Sequence, residues 1–226
     1  MLIEPELLTT GTQLVAGLLS AIALVIAALT APWRAWLGDR ERQRVWLGFC
    51  ALLVVVWSMK AGISPGLSVR FLMVTTLTLM SGWQLAVLGG TLVLAVLGFT
   101  GQVAWASFGA DLLCMAVVPA LFTAWFHEFV HARLPHNYFI YFFLTVFLGA
   151  ALAFNVAGLT RIAILVAGGT FDASRLGDEY FAILPFMSLG EGIVNGMFMA
   201  MAVVYRPRWV MSFDDRLYLV KRDGRD

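Results

Sequence analysis

Apolar residues in this chain come in long unbroken runs, not in the stripes of an amphipathic surface helix. Crossing the hydrocarbon of a bilayer takes about 20 apolar residues in a helix. Seven runs approach that length, at about 11–31, 45–61, 66–82, 83–100, 108–127, 138–168 and 182–206. The third and fourth meet at Ser81-Gly82-Trp83 with almost no loop between them. The sixth is too long to stand upright, which predicts tilt or a bend near Gly158. The expected architecture is all-α: a polytopic transmembrane bundle of about seven helices. A transmembrane β-barrel needs short alternating segments with polar lumen positions, and the sequence shows none.

Composition agrees with this pattern. Only 13% of the 226 residues are charged and 61% are hydrophobic, whereas a soluble domain carries about 25% charged residues to keep its surface hydrated. No linker, repeat or low-complexity tract divides the chain, so a single transmembrane domain is expected over 1–226, with a tail from about 207. No lysine or arginine precedes the first run, as a secretory signal would require, so the first helix is expected to stay in the mature protein. Cys50 and Cys114 both fall inside apolar runs and read as buried thiols, not as a disulfide.

The position of the charges sets the expected direction of the spans. Arg34, Arg40, Arg42 and Arg44 crowd the first loop, Arg133 sits in the fifth, and Arg206, Arg208, Arg216, Lys221, Arg222 and Arg225 follow the last run. With seven spans all eleven lie on one side, against Lys60, Arg70 and Arg175 on the other. Short loops rich in lysine and arginine stay cytoplasmic. The N-terminus is therefore expected outside and the C-terminus in the cytoplasm, in a multi-pass protein of the cell (inner) membrane. Ala23, Ala27 and Ala31 in the first run, and Gly192 and Gly196 in the seventh, have the spacing that lets helix backbones approach closely in lipid. Internal packing is the plainer use of them, and docking on another membrane subunit is the alternative.

Two groups of residues could carry chemistry. The first is HEFVH at 127–131, which matches HExxH: two imidazoles on one helical face with a glutamate between them as general base. A zinc hydrolase also needs a third protein ligand and an open position for water. His136, just beyond the run, is the available third ligand beside His127 and His131; Glu191 lies roughly 20 Å above the inner end of its own span and cannot reach. The plainer reading is an interfacial helix end, its histidines facing the dipole and lipid phosphates and Glu128 pairing with Arg133 or pointing to water.

The second group is Arg70, Asp111, Arg161 and Glu191, with Asn195 four residues after Glu191 on the same face. Ionisable groups within the membrane are costly and face the bundle interior, where they find partners. Counting along the spans puts these in the outer half, within about 15 Å of the surface. A connected network is expected, with Glu191 contacting Arg70 or Arg161. It would be either structural or a polar site open to the outside.

With these residues in view, the sequence resembles the cobalt/nickel energy-coupling factor permeases, the CbiM-like substrate-capture subunits, in a divergent and poorly characterised branch. MLIEPELL at the start looks like the family's opening, TTLTLMSG (75–82) resembles its third-helix motif, and FGADLLCM (108–115) is similar to its Gly-Ala-Asn pattern, with Asp111 in the asparagine place. EGIVNGMFM (191–199) matches its Glu-x-x-x-Asn-Gly helix, and VVYRPRWVMSFDD (203–215) looks like the tail of that branch. The resemblance implies capture of a divalent transition metal ion at the outer face, a second membrane subunit for coupling, and cytoplasmic ATPases, besides lipid. The chain has no GxxxxGK[ST] of its own. Nothing points to nucleic acid or to a tightly held cofactor.

The resemblance also implies a ligand set: the N-terminal amine, a histidine at the second position and a histidine opening the third helix. This sequence has the Met1 amine, but Leu2 and Arg70 in place of the histidines, and arginine cannot ligate a cation. Glu4 and Glu6 are the substitutes at hand, although carboxylates favour harder ions. The function expected is thus a substrate-capture subunit with its metal ligands partly lost. The alternatives are an intramembrane zinc protease built on His127, Glu128 and His131, and a non-transporting membrane assembly protein that keeps the fold.

Overall fold

The computed structural model describes residues 3, 8–59, 61–64, 67–169 and 173–213. Helix α1 (Thr10–Thr30) is followed by the short α2 (Trp33–Leu37) and by α3 (Arg40–Ser58), whose first turn is capped by the Asp39 carboxylate on the Glu41 and Arg42 amides. A small antiparallel hairpin, β1 (Ala61–Ser64) and β2 (Leu67–Val69), leads into α4 (Val74–Ser81) and α5 (Trp83–Phe99). Three long helices complete the bundle: α6 (Phe108–Arg133), α7 (Tyr138–Ala167) and α8 (Ala173–Tyr205).

The third apolar run is the element that departs from expectation. Instead of a helix over 66–82, the hairpin and a non-helical stretch at 70–73 precede a half-helix of eight residues. At about 1.5 Å per residue, α4 is roughly 12 Å long and cannot cross a bilayer. It sits among α3, α5, α6, α7 and α8, and nearly all of it is buried. Gly82, at φ +89°, is the single residue joining it to α5, as the near-absence of a loop implied. That backbone conformation suits glycine, which has no Cβ to clash.

The remaining helices follow the apolar runs with shifted ends. The fifth runs six residues further than expected, so HEFVH lies wholly on α6. The seventh begins nine residues earlier, and Pro185 falls inside it. In the sixth, the departure from regular α geometry is a π-helical stretch at Tyr141–Leu148, and Gly158 lies in regular helix. Gly158 serves instead as a contact: a Cβ there would come within 2.5 Å of Leu184. Gly192 similarly admits Phe147, so this seventh-run spacing is spent on internal packing. In the first run, Ala27 is fully buried in the core.

Among the described residues, four helices are long and apolar enough to cross a membrane: Thr10–Thr30, Phe108–Arg133, Tyr138–Ala167 and the Leu184–Tyr205 part of α8. The outward face of α1 carries Leu14, Leu18, Leu29 and their neighbours in the open. A surface of that kind suits hydrocarbon and not water. The chain is a multi-pass membrane protein. Cys50 and Cys114 are free and buried, as expected.

Candidate functional site

The half-helix α4 brings a helix N-terminus into the middle of the bundle. The first amides of a helix have no partner within it, and in an apolar surrounding each needs an acceptor. Helix α8 supplies them. Glu191 Oε2 accepts from the Leu72 amide at 2.8 Å and Oε1 from the Met73 amide at 2.6 Å. One turn on, Asn195 Oδ1 accepts from the Thr76 amide at 2.9 Å and from the Thr76 hydroxyl at 2.7 Å. The Asn195 amide donates back to Glu191 Oε1 at 2.9 Å, locking the two side chains together. Both are buried. The i, i+4 spacing of Glu191 and Asn195 is what lets one helix cap another across the bundle.

This corrects the expected pairing of Glu191 with a guanidinium. A buried carboxylate needs donors, and the partial positive charge of a helix N-terminus provides them as well as an arginine would. The same contacts hold Met73 in a left-handed conformation at φ 51°, which costs about 1–2 kcal/mol in a non-glycine residue. Arg70 turns the other way and donates through Nη1 to the Trp57 carbonyl, while the Trp57 indole donates to the Leu72 carbonyl at 3.1 Å. Residues 70–73 are thereby pinned between α3 and α8.

Asp111 anchors a different part of the chain. Its Oδ1 accepts from the Ile3 amide at 2.7 Å and its Oδ2 from the Ser107 hydroxyl at 2.9 Å, all buried. Ile3, only 3% exposed, is thus held inside the bundle. Asp111 can reach it because α1 packs closely on the start of α6: Gly109 lies so near Gly17 that a Cβ would sit 2.5 Å from its Cα, and the Ser20 hydroxyl donates to the Gly109 carbonyl at 2.6 Å. Arg161, fully buried on α7, and Arg70 both lie within electrostatic range of Asp111. Asp111 thus has two buried arginines within electrostatic range, and Glu191 and Asn195 brace the segment that carries Arg70. Of the candidate ligands near the N-terminus, Met1, Glu4 and Glu6 lie outside the described residues.

Sequence reasoning missed Thr76, Trp57 and the amides of Leu72 and Met73. TTLTLM gave a signal in retrospect, since threonines buried in an apolar run need acceptors. In the same turn of α4, the Thr75 and Thr123 hydroxyls meet at 3.0 Å.

At the far end of α6, HEFVH does not assemble a hydrolase centre. The His131 and His136 Nε2 atoms are 3.4 Å apart, but His127 keeps its ring beside Tyr141 with Nδ1 buried and without a hydrogen-bond partner. Of the two expected placements of Glu128 the exposed one is seen, while Arg133 stacks over Phe129 at 4.4 Å. Among the described residues no three His, Cys, Asp or Glu side chains are grouped to hold a metal.

Two solved structures share this architecture. A truncated transition metal transporter superposes with a TM-score of 0.75 at 16% identity, covering 91% of this chain and 99% of its own. A second transition metal transporter gives 0.71 at 17% identity, covering 92% of this chain and 93% of its own. At such identities the likeness establishes the fold. No curated protein matches the chain significantly. The profile of the cobalt uptake substrate-specific transmembrane region matches residues 3–209, from the Ile3 amide on Asp111 to the tryptophan that closes the foot of the bundle. Over that length this is a transport family and not one of hydrolases, and the chain belongs to it.

Proposed function

We propose that this chain is the membrane component of a metal uptake system, and more specifically the substrate-capture subunit of an energy-coupling factor transporter. Membership of the cobalt uptake family carries the first part. The second rests on the same family's organisation and on the charged group around Asp111, where the chain just after its start is drawn into the bundle. In this reading the N-terminus faces outside, the chain crosses the membrane seven times, and a divalent transition metal ion is the substrate. The chain works with a second membrane subunit and cytoplasmic ATPases.

The residues present weaken the chemistry for cobalt or nickel. Arg70 is buried and sits where the family is expected to place an imidazole ligand. A permanent cation at that position repels a divalent ion in a medium that screens it poorly. The Glu191 carboxylate is already committed to backbone amides and serves to position residues 70–73. This local chemistry also favours a second reading, in which the fold is retained as a scaffold for membrane assembly without cargo.

Elemental analysis of the purified protein after exposure to a panel of divalent metals separates the two readings. Stoichiometric retention of one transition metal, together with co-purification of an ATPase pair, supports the capture subunit. Absence of both in a folded preparation leaves the scaffold.

A further inference from the structure

The histidines left over by the transport reading lie at the other end of α6. Twenty residues of helix separate Asp111 from His131, about 30 Å at 1.5 Å per residue. We propose that His131 and His136 form a two-histidine site for a divalent transition metal ion of the zinc type, open to solvent and separate from the charged group around Asp111. This inference does not rest on the chain being a capture subunit.

The geometry of the two rings carries it. Their Nε2 atoms are 3.4 Å apart, with ring centroids at 4.4 Å and planes crossing at 73°. Nitrogen ligands at 2.0–2.1 Å on a tetrahedral zinc ion are about 3.3 Å from each other. The observed separation therefore matches the spacing of two nitrogens on one tetrahedral ion. The fold sets this spacing. His131 is in the last turn of α6, and the chain leaves the helix at Leu134 in extended conformation, returning His136 towards the ring one turn back.

Exposure makes the pair accessible to a cation. Arg133, the nearest fixed positive charge in sequence, is held over the Phe129 ring. Residues 129 and 133 share one face of the helix, and 131 lies about 200° around from 129 at 100° per residue. His136 is exposed and His131 partly so, so solvent reaches the pair. Imidazole selects zinc, copper, nickel and cobalt over magnesium and calcium, which prefer oxygen. His127 is not a member: its ring centroid is 5.9 Å from that of His131 and it packs edge-on to Tyr141.

The test uses the full chain in detergent with histidine labelled for NMR. The chain has three histidines, all between residues 127 and 136, so the signals report this end of the protein alone. On titration with Zn²⁺, the His131 and His136 resonances should shift together while His127 stays, and Mg²⁺ in tenfold excess should not reverse the shift. His136→Gln, a change at an exposed loop position, should reduce the His131 response at least tenfold in Zn²⁺ affinity. Independent movement of the two signals, movement of His127 with them, or a His131 response that survives His136→Gln would each overturn the assignment. Metal retention around Asp111 produces no histidine signal, so failure here leaves the capture reading untouched.

Discussion

Glu191 Oε1 lies 2.6 Å from the Met73 amide, and its second oxygen lies 2.8 Å from that of Leu72. A carboxylate on one helix thus caps the buried start of another, 118 residues away. Glu191→Ala leaves two buried amides without acceptors, at about 1–3 kcal/mol each. A drop in melting temperature of many degrees is expected in detergent. Glu191→Gln keeps one acceptor oxygen and should fall between parent and alanine variant. If Gln and Ala are equally damaging, the charge and not the amide capping is what holds the site together.

Asn195 fixes the next turn of the same helix, so Asn195→Ala should destabilise by about 1–2 kcal/mol, the usual size of a lost N-cap. Asn195→Asp keeps the acceptor for Thr76 but brings a second carboxylate beside Glu191. It should be worse than a surface Asn→Asp change. Thermal unfolding of the two variants side by side measures this; an aspartate variant as stable as the parent would place the Glu191 charge elsewhere.

The apolar runs made the bundle legible because lipid demands continuous hydrophobic helices. Cys50 and Cys114, Ala27, the Gly82 junction and the ends of α1 and α5 all followed from that one constraint. Residues 66–82 were misread for the same reason. A run of the right length looks like a span, and periodicity cannot tell a half-helix preceded by a hairpin from a full crossing. Once α4 is shortened, its free amides appear, and the partner of Glu191 changes from a guanidinium to the backbone. The burial of Arg70, Asp111 and Arg161 was legible from their depth in the apolar runs. Ile3 on Asp111 was not, because a contact across 108 residues leaves no mark in local sequence.

The close approach of α1 and α6 depends on Gly109. A Cβ added there would meet Gly17 Cα at 2.5 Å, and backbone cannot rotate away as a side chain can. Gly109→Val should therefore push α1 off and break the Ser20 hydroxyl bond to the Gly109 carbonyl. Overpacking of this kind costs about 1–3 kcal/mol or more. Yield and monodispersity should fall sharply, while Gly48→Ala, at an exposed position of α3 with open space around it, should lose far less. Equal yields would mean that the helices are not in contact at this point.

The carbonyl end of α4 is also capped from afar. The Met211 amide donates to the Met80 carbonyl at 3.2 Å and the Ser212 amide to the Leu79 carbonyl at 3.1 Å. The Tyr141 and Ser212 hydroxyls meet at 2.7 Å. The first residues beyond α8 thus belong to the bundle, although the sequence reads as a tail from about 207. Ending the chain after Phe213 keeps these contacts, whereas ending it after Arg208 removes them. The shorter form should melt lower by an amount corresponding to about 1–3 kcal/mol. Coincident melting curves would assign the capping role to water.

The last prediction concerns the position where this chain differs most sharply from the ligand set implied by its resemblance. Arg70 is 4% exposed and donates to the Trp57 carbonyl, so its guanidinium is buried beside the segment that opens α4. Asp111 and Arg161 share its electrostatic surroundings. A divalent ion entering there meets a second fixed positive charge and lacks two imidazoles, one at Arg70 and one at Leu2. The parent should therefore bind cobalt or nickel weakly or not at all. Leu2→His with Arg70→His supplies both nitrogens and removes the charge, and should raise affinity by at least tenfold in equilibrium dialysis. Arg70→Met is the control: it removes the charge without adding a ligand, and should leave binding near the parent level. Tight binding by the parent would mean that Arg70 is not disabling. If the double variant folds and still binds nothing, the likeness to metal transporters extends to the fold and not to the site.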